Sequence, residues 1–410
     1  MNILMVNKFL YPNGGSETYL FKVGACLASE GNQVEYFGME HEDRIVGNRA
    51  GSYTANIDFH SGKISRLLYP FKIVYSVEAR RKIRKVLDDF KPDVVHLNNF
   101  NFQITPSILY EIKSFAKEHG KPVKIIYTAH DYQLVCPNHM LRNPITHRNC
   151  EKCIGGRYVH CTMDQCIHGS TLRSFLGSVE AFLYKALKTY RLIDTVICPS
   201  FFLQEKILTN PRLKGKTIVL HNPIDRVQQT EPAKEDYVLY IGRFSEEKGF
   251  RTLIDACRHL PDIPFVFAGR GLLEAETAGI HNINNVGFQT GAALENLVRK
   301  AKFSVCPSEW YENCPLSVME SQMYGTPVLG ADIGGIPELI DIGRTGELFR
   351  SGDSGDLQEK IADLWHDREK CRIFAQNCQH LKFDFIDEYC GKLIDIYTGS
   401  TAKQPDMSLT

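Results

Sequence analysis

The chain has 410 residues, 43% hydrophobic and 23% charged, with 48 Lys and Arg against 48 Asp and Glu. That length favours two domains over one, and the composition is that of an ordinary globular protein. A formal charge of zero excludes a chain that is basic overall and built for nucleic acid, and no apolar run approaches the roughly 20 residues that span a bilayer.

The opening MNILMVNKFL has no basic segment ahead of its apolar run and no cleavage pattern, so it reads as a strand rather than a signal peptide. A cytoplasmic location is the default expectation. Short apolar runs at 2–7, 33–37, 93–97, 124–128 and 194–198 read as strands. Segments of helical period near 16–30, 75–90, 105–118 and 171–190 lie between or after them. Such alternation predicts parallel strands with helices on both faces. The polar stretch 225–236 reads as a linker. The alternation then restarts, with strands at 237–242, 264–269, 283–287, 303–307 and 326–330. Helices are expected around 247–258, 291–300, 316–324, 355–366, 368–380 and 382–397, followed by a polar tail.

Ligands of open α/β units sit beyond the carboxyl ends of the strands, and the motifs that carry chemistry fall there. CPSEWYENCPLSVMESQMYGTP (306–327) places Glu312 before a helix that starts near Pro315, and Glu320 on its second turn. Free N–H groups at a helix start attract phosphate. Two carboxylates on either side suit the hydroxyls of a sugar and a ribose, unless both are merely solvated. GRFSEEKGF (242–250) sets Arg243 and Lys248 around a second helix start, a pairing that suits a diphosphate. GGSE (14–17) allows a tight turn at Gly14 and Gly15, with Ser16 as N-cap and Glu17 in the first turn. It is not G-x-G-x-x-G, so it argues little for a dinucleotide. In TAHDY (128–132), His130 stands at a strand end within reach of a sugar hydroxyl.

Together with the GGIPE loop (334–338), these motifs resemble the retaining glycosyltransferases of family 4, over nearly the whole chain and in order. The resemblance implies the GT-B fold: two Rossmann-like parallel-sheet domains facing across a cleft, with a C-terminal helix crossing back to the first. It implies an N-terminal acceptor domain at 1–224, a linker at 225–236, and a donor-binding domain at 237–380. A returning helix at 381–397 and a disordered tail at 398–410 complete it. By the same resemblance, Glu312 contacts the donor sugar near its 3- and 4-hydroxyls, and Glu320 holds the ribose. Arg243, Lys248 and the backbone N–H groups of Leu316 and Ser317 bind the diphosphate. His130 touches the 6-hydroxyl region, and Gly15 lets the first helix approach phosphates and acceptor. The base lies against backbone around Val286–Phe288, including Gly287. No catalytic divalent metal and no covalent nucleophile are implied. Pro315 and Cys314 depart from the commoner glycine and aromatic residue in this part of the donor site. The activity implied is transfer from a UDP- or GDP-sugar to a glycan or lipid-linked acceptor in polysaccharide or cell-surface glycan synthesis. A nucleotide-sugar 2-epimerase on the same fold and a non-catalytic binding module are the alternatives.

Thirteen cysteines in a reducing compartment argue against a disulfide framework. Five crowd into 136–166, within a Cys-rich insertion at 136–168. The spacing of Cys150, Cys153, Cys161 and Cys166 fits a structural tetrahedral zinc site; an iron–sulfur cluster or free thiols are the other readings. Residues 63–91 hold nine Lys and Arg against three Asp and Glu, with apolar residues near helical spacing. That segment reads either as peripheral contact with the cytoplasmic face of a membrane or as an ordinary surface helix.

Overall fold

The structure, a computed structural model, describes residues 1–55, 74–101, 104–226 and 233–400. Parts of the expected basic segment (63–73), linker (227–232) and tail (401–410) lie outside the described residues. The chain divides into two units, Met1–Pro223 with Phe385–Thr410, and Ile224–Asp384.

In the first unit the chain runs through β1 (Asn2–Val6), α1 (Gly15–Ser29), β2 (Gln33–Phe37), α2 (Val77–Phe90), β3 (Val94–Leu97), α3 (Ile108–Glu118) and β4 (Lys124–Thr128). An insertion follows, with a small antiparallel pair, β5 (Arg142–Asn143) and β6 (Arg148–Asn149), and one helical turn, α4 (Val159–Met163). Then come α5 (Thr171–Ala186), β7 (Thr195–Cys198), α6 (Phe201–Leu208) and β8 (Thr217–Val219). The six long-range strands form one parallel sheet in the order β2-β1-β3-β4-β7-β8. Every residue of β3 is buried, as a strand covered on both faces must be.

Local chemistry sets the boundaries. The Ser76, Ser170 and Ser200 hydroxyls accept the N–H groups of Ala79, Arg173 and Leu203, capping α2, α5 and α6. Lys188 adopts a left-handed φ of 57°, so α5 stops at Ala186 and does not reach the expected 190. The apolar residues of α2 (Ala79, Ile83, Val86, Leu87 and Phe90) are buried. Its outward face offers charge, and Arg80 and Arg84 are paired with Glu111 and Glu118. Within 77–90, therefore, the amphipathic pattern serves the fold, and no apolar face remains for lipid.

The second unit repeats the alternation: β9 (Val238–Ile241), α7 (Phe250–Arg258), β10 (Phe265–Ala268), β11 (Ile283–Gly287), α8 (Gly291–Lys300), β12 (Phe303–Cys306), α9 (Leu316–Met323), β13 (Val328–Ala331) and β14 (Gly346–Phe349). The helices α10 (Ser354–His366) and α11 (Arg368–Cys378) follow. Its sheet is also parallel, in the order β11-β10-β9-β12-β13-β14. Phe244, Phe250, Phe265 and Phe267 pack with Tyr240 at the centre of its core.

The final helix, α12 (Ile386–Thr398), returns to the first unit, where Tyr389, Cys390, Leu393 and Tyr397 join the apolar core. Its attachment is also polar. The Tyr397 hydroxyl lies 2.6 Å from His96 Nδ1, and Thr128 Oγ1 lies 2.7 Å from His96 Nε2. The Tyr19 hydroxyl bridges Thr128 and Tyr389 at 3.2 and 3.0 Å. Burial drives His96 from 6.5 down to about 3, so the ring is neutral with a partner at each nitrogen. Tyr397→Phe leaves one buried nitrogen unpaired and is expected to cost about 1–3 kcal/mol in urea unfolding. Because the folded imidazole resists protonation, its contribution is complete above about pH 6.5 and is lost as pH falls toward 3. His96→Gln should flatten that slope.

Candidate active site

Strand order reverses between β9 and β12 in the second unit, and a crevice opens at the carboxyl ends of such a pair. The chain leaving β9 carries Arg243, exposed, and then a turn of 3-10 helix, Glu246–Lys248. Gly249 caps α7 with φ +66°, and a Cβ there would lie 1.7 Å from the Pro307 carbonyl oxygen. Only glycine lets this turn press against the chain leaving β12.

That contact brings the two motifs together. Lys248 Nζ lies 2.5 Å from Glu312 Oε1, and the Ser308 hydroxyl donates to the same oxygen at 2.6 Å. The ammonium also stands 5.2 Å from the Trp310 ring centre. Glu312 is only 7% exposed. Burial alone would push its carboxyl up, but the charge and hydrogen bond of Lys248, with Ser308, outweigh it and hold the pKa below its ordinary value. The backbone of Glu312 is fixed as well. Gly335 N–H donates to its carbonyl at 2.7 Å, and Gly334, at φ +61°, presses so close that a Cβ would meet that oxygen at 2.5 Å.

Sequence reasoning singled out Glu312 and Lys248 but not their direct pairing. It gave no role to Ser308, Trp310 or the glycines of the GGIPE loop. The signal for those glycines was the doublet itself, since adjacent glycines often mark a close backbone approach.

Pro315 is the N-cap of α9, so Leu316 and Ser317 open the helix and their N–H groups belong to the turn that lacks intrahelical acceptors. Glu320 is half-buried on the second turn. Cys314 is buried with its thiol 3.4 Å from the Met319 sulfur, so it packs inward. Gly287 closes β11 at φ +70°, bonded to Asn285 and Gly269. Beside it, Phe288 is exposed, with the Arg270 guanidinium 4.9 Å from its ring.

The first unit has its own reversal, between β1 and β3. Gly14 is the N-cap of α1 in extended conformation. Ser16 therefore lies inside the first turn and is not the cap that the sequence suggests, because the helix starts one residue earlier. A Cβ on Gly15 would meet nothing within 4 Å, so the chain itself does not demand glycine there. Glu17 is buried and accepts from Asn7 and Ser16 at 2.9 and 3.0 Å. At the end of β4, His130 Nε2 lies 2.8 Å from Asn98 Oδ1, and the Tyr19 ring stands edge-on at 4.9 Å. Burial drives this imidazole down to about 4, which leaves it neutral and able to donate or accept a hydrogen bond.

In the insertion, Cys153, Cys161 and Cys166 are buried with Tyr158 and Ile167 in one cluster, and the half-buried Cys150 lies outside it. Among the described residues, no three His, Cys, Asp or Glu side chains are grouped to hold a metal ion. The expected zinc site at Cys150, Cys153, Cys161 and Cys166 is not formed as these side chains stand. Burial pushes the Cys153 thiol up to about 12, and Cys161 is held protonated by its hydrogen bond to Cys166. Cys166 is shifted the other way, lowered by that same hydrogen bond.

A family model described as Glycosyltransferase Family 4 matches residues 13–228, more than half of the chain. The chain belongs to that family. A second model, Glycosyl transferases group 1, matches residues 222–381. An uncharacterized glycosyltransferase of Methanocaldococcus jannaschii is 26% identical over 231 residues, 55% of this chain and 64% of that protein. An uncharacterized 42.6 kDa protein in the cps region of Klebsiella pneumoniae is 23% identical over 359 residues, 83% of this chain and 88% of that one. Among solved structures, Anabaena HepE in complex with UDP superposes with a TM-score of 0.65 at 18% identity, over 97% of this chain and 100% of that one. The protein is thus a glycosyltransferase with the GT-B fold.

The Lys248–Glu312 pair carries a measurable signature. A depressed carboxyl contributes stability that is present above its unfolded pKa, about 4.3, and lost as pH falls through the folded value. Glu312→Gln should therefore weaken the acid dependence of unfolding below about pH 4.3. An unchanged slope in urea titrations at pH 3–5 would show that Lys248 does not hold this carboxyl in its charged form.

Proposed function

We propose that this glycosyltransferase moves a sugar from a nucleoside-diphosphate sugar to a hydroxyl of a glycan or lipid-linked acceptor, with retention at the anomeric carbon. The observation that carries the reading is the buried, ionised Glu312, held by Lys248 beside the start of α9. A carboxylate with its charge already balanced can accept hydrogen bonds from donor-sugar hydroxyls without drawing in water.

In this reading the diphosphate lies against the N–H groups of Leu316 and Ser317, with Arg243 and Lys248 supplying positive charge. Arg243 pairs with no carboxylate among the described residues, so its guanidinium is available. Glu320 takes the ribose hydroxyls, and the base rests near Gly287 with Phe288 beside it. The bond from the anomeric carbon to the diphosphate breaks as the acceptor oxygen bonds on the same face, and the acceptor proton passes to the departing phosphate oxygen. Positive charge fixed in advance stabilises the leaving group without a required divalent ion. In the first unit, neutral His130 offers a hydrogen bond to the sugar's 6-hydroxyl region, and the open space at Gly15 lets the start of α1 approach phosphates and acceptor.

UDP is the favoured nucleotide, since HepE, similar in fold, is seen with UDP and with UDP-glucose. The likeness to a protein of a cps region favours a glycan product. Free thiols suit a reducing compartment, in agreement with transfer on the cytoplasmic side.

A UDP-sugar at about 100 times its Kd should stabilise the protein by about 2.7 kcal/mol. Lys248→Ala and Arg243→Ala should each lower kcat by about 10²–10³, and Glu320→Ala should act mainly on donor affinity. Transfer that keeps its rate in both cation variants, or a product whose NMR coupling shows the inverted anomer, would refute the assignment.

A further inference from the structure

Helix α5 is amphipathic the wrong way round. Of its five buried residues four are small or polar, Ser174, Gly177, Ser178 and Glu180, and only Tyr184 near its end is large. Its outward face is apolar. Leu172 (66% exposed), Phe175 (52%), Val179 and Phe182 follow one another at helical spacing along one stripe. Val159 (50%) and Met163 (69%) of α4, packed against α5, extend the same surface. A helix that buries serine and glycine while exposing leucine and phenylalanine is not explained by the core of its own unit.

Next to the stripe lies a cavity of about 410 Å³, lined by Lys185, Lys188, Arg191 and Arg212 together with Tyr158 and Tyr190. No carboxylate lines it, and none of the four cations forms an ion pair among the described residues. Lys185 donates to the Gly156 carbonyl at 3.1 Å and stands 5.7 Å from the Tyr158 ring centre. The same Tyr158 ring meets Phe182 of the stripe at 5.4 Å, so basic cavity and apolar surface are continuous. None of these residues belongs to the site proposed for transfer.

We infer that this face docks on an anionic membrane surface, with the stripe of α4 and α5 among the lipid chains and a lipid phosphate in the basic cavity. Charge decides the occupant. Unpaired cations beside an apolar stripe, with tyrosines at the boundary, match a layer that is negative outside and apolar inside. The cavity has room for a headgroup, and its four cations suit phosphate oxygens. A second copy of this chain would bring the same positive charge against itself.

The test is co-sedimentation of the full chain with phosphatidylcholine vesicles, with and without phosphatidylglycerol; it does not read transfer, so it stands or falls apart from the catalytic assignment. Binding should require the anionic lipid. Leu172→Asp with Phe175→Asp, and separately Lys188→Glu with Arg191→Glu, should each weaken it by about tenfold or more. All four side chains are exposed or half-exposed, so circular dichroism should show both variants folded. Wild-type protein that ignores vesicles of either kind overturns the inference. So does binding that inorganic pyrophosphate abolishes and the apolar pair leaves untouched, which would make the cavity a site for soluble phosphates. A wild-type dimer in light scattering that the apolar variant alone splits, with vesicle binding unchanged, would give the stripe to a second copy.

Discussion

An ionised carboxylate cannot be buried by accident. Removing Glu312 from water costs several kcal/mol unless charge and hydrogen bonds replace the lost solvent, and much of the second unit around it supplies that replacement. Lys248 reaches it only because the turn before α7 presses against Pro307, which glycine at 249 permits. Ser308 adds a hydroxyl from the same strand end, and Gly334 and Gly335 clamp the backbone. Residues from three separate loops, after β9, β12 and β13, are thus committed to one charged side chain. A network of this kind contributes little net stability, so its purpose is better sought in the ligand that would meet the carboxylate.

The strand ends of the first unit follow the opposite electrostatic rule. His96 and His130 are both driven well below their ordinary values by burial and sit among hydroxyls and an amide; at His130 burial outweighs the neighbouring Asp131 carboxylate, which favours the charged ring. They offer hydrogen bonds at neutral pH without fixed charge. Tyr19 ties the pair together: its ring packs edge-on to His130, and its hydroxyl reaches Thr128 and Tyr389. The returning helix α12 therefore does more than cover an apolar surface. It supplies two of the hydroxyls that keep this polar cluster satisfied.

The alternation of apolar runs and helical periods was enough to predict a parallel α/β fold, and most strands fall within two residues of their expected limits. What escaped is short or bounded by glycine. β8 has only three residues, too few to register a period, and β14 opens on Gly346 followed by Glu347, which breaks the apolar run. Helix limits slipped where a single left-handed residue decides them, as at Lys188. In the candidate site, charged residues stood out because they follow predicted strands. Their partners did not: Ser308 is defined by approach in space and leaves no spacing in the chain, and the glycine doublet at 334–335 marks a close approach without saying to what. The zinc reading of the cysteine spacing is not matched by a grouped ligand set among the described residues. A C-x2-C pair fixes only how far apart two thiols are along the chain, and here the side chains turn into a small apolar cluster.

That cluster bears on why α5 is inverted. The insertion is short and rich in polar residues, so it closes against the helix with little apolar surface of its own. Small residues on the inward face let it approach: a Cβ on Gly177 would meet Ile167 Cδ1 at 2.4 Å, and the Ser178 hydroxyl donates to the Tyr158 carbonyl at 2.8 Å. With most of the inward face given to close packing of glycine and serine, Leu172 and Phe175 opposite stay largely exposed, and only the Phe182 ring reaches the buried Tyr158. A stripe that the fold largely leaves exposed, set against cations that pair with no carboxylate among the described residues, is costly to leave in water and hard to explain as packing. Its composition makes sense only in contact with something apolar that also carries negative charge.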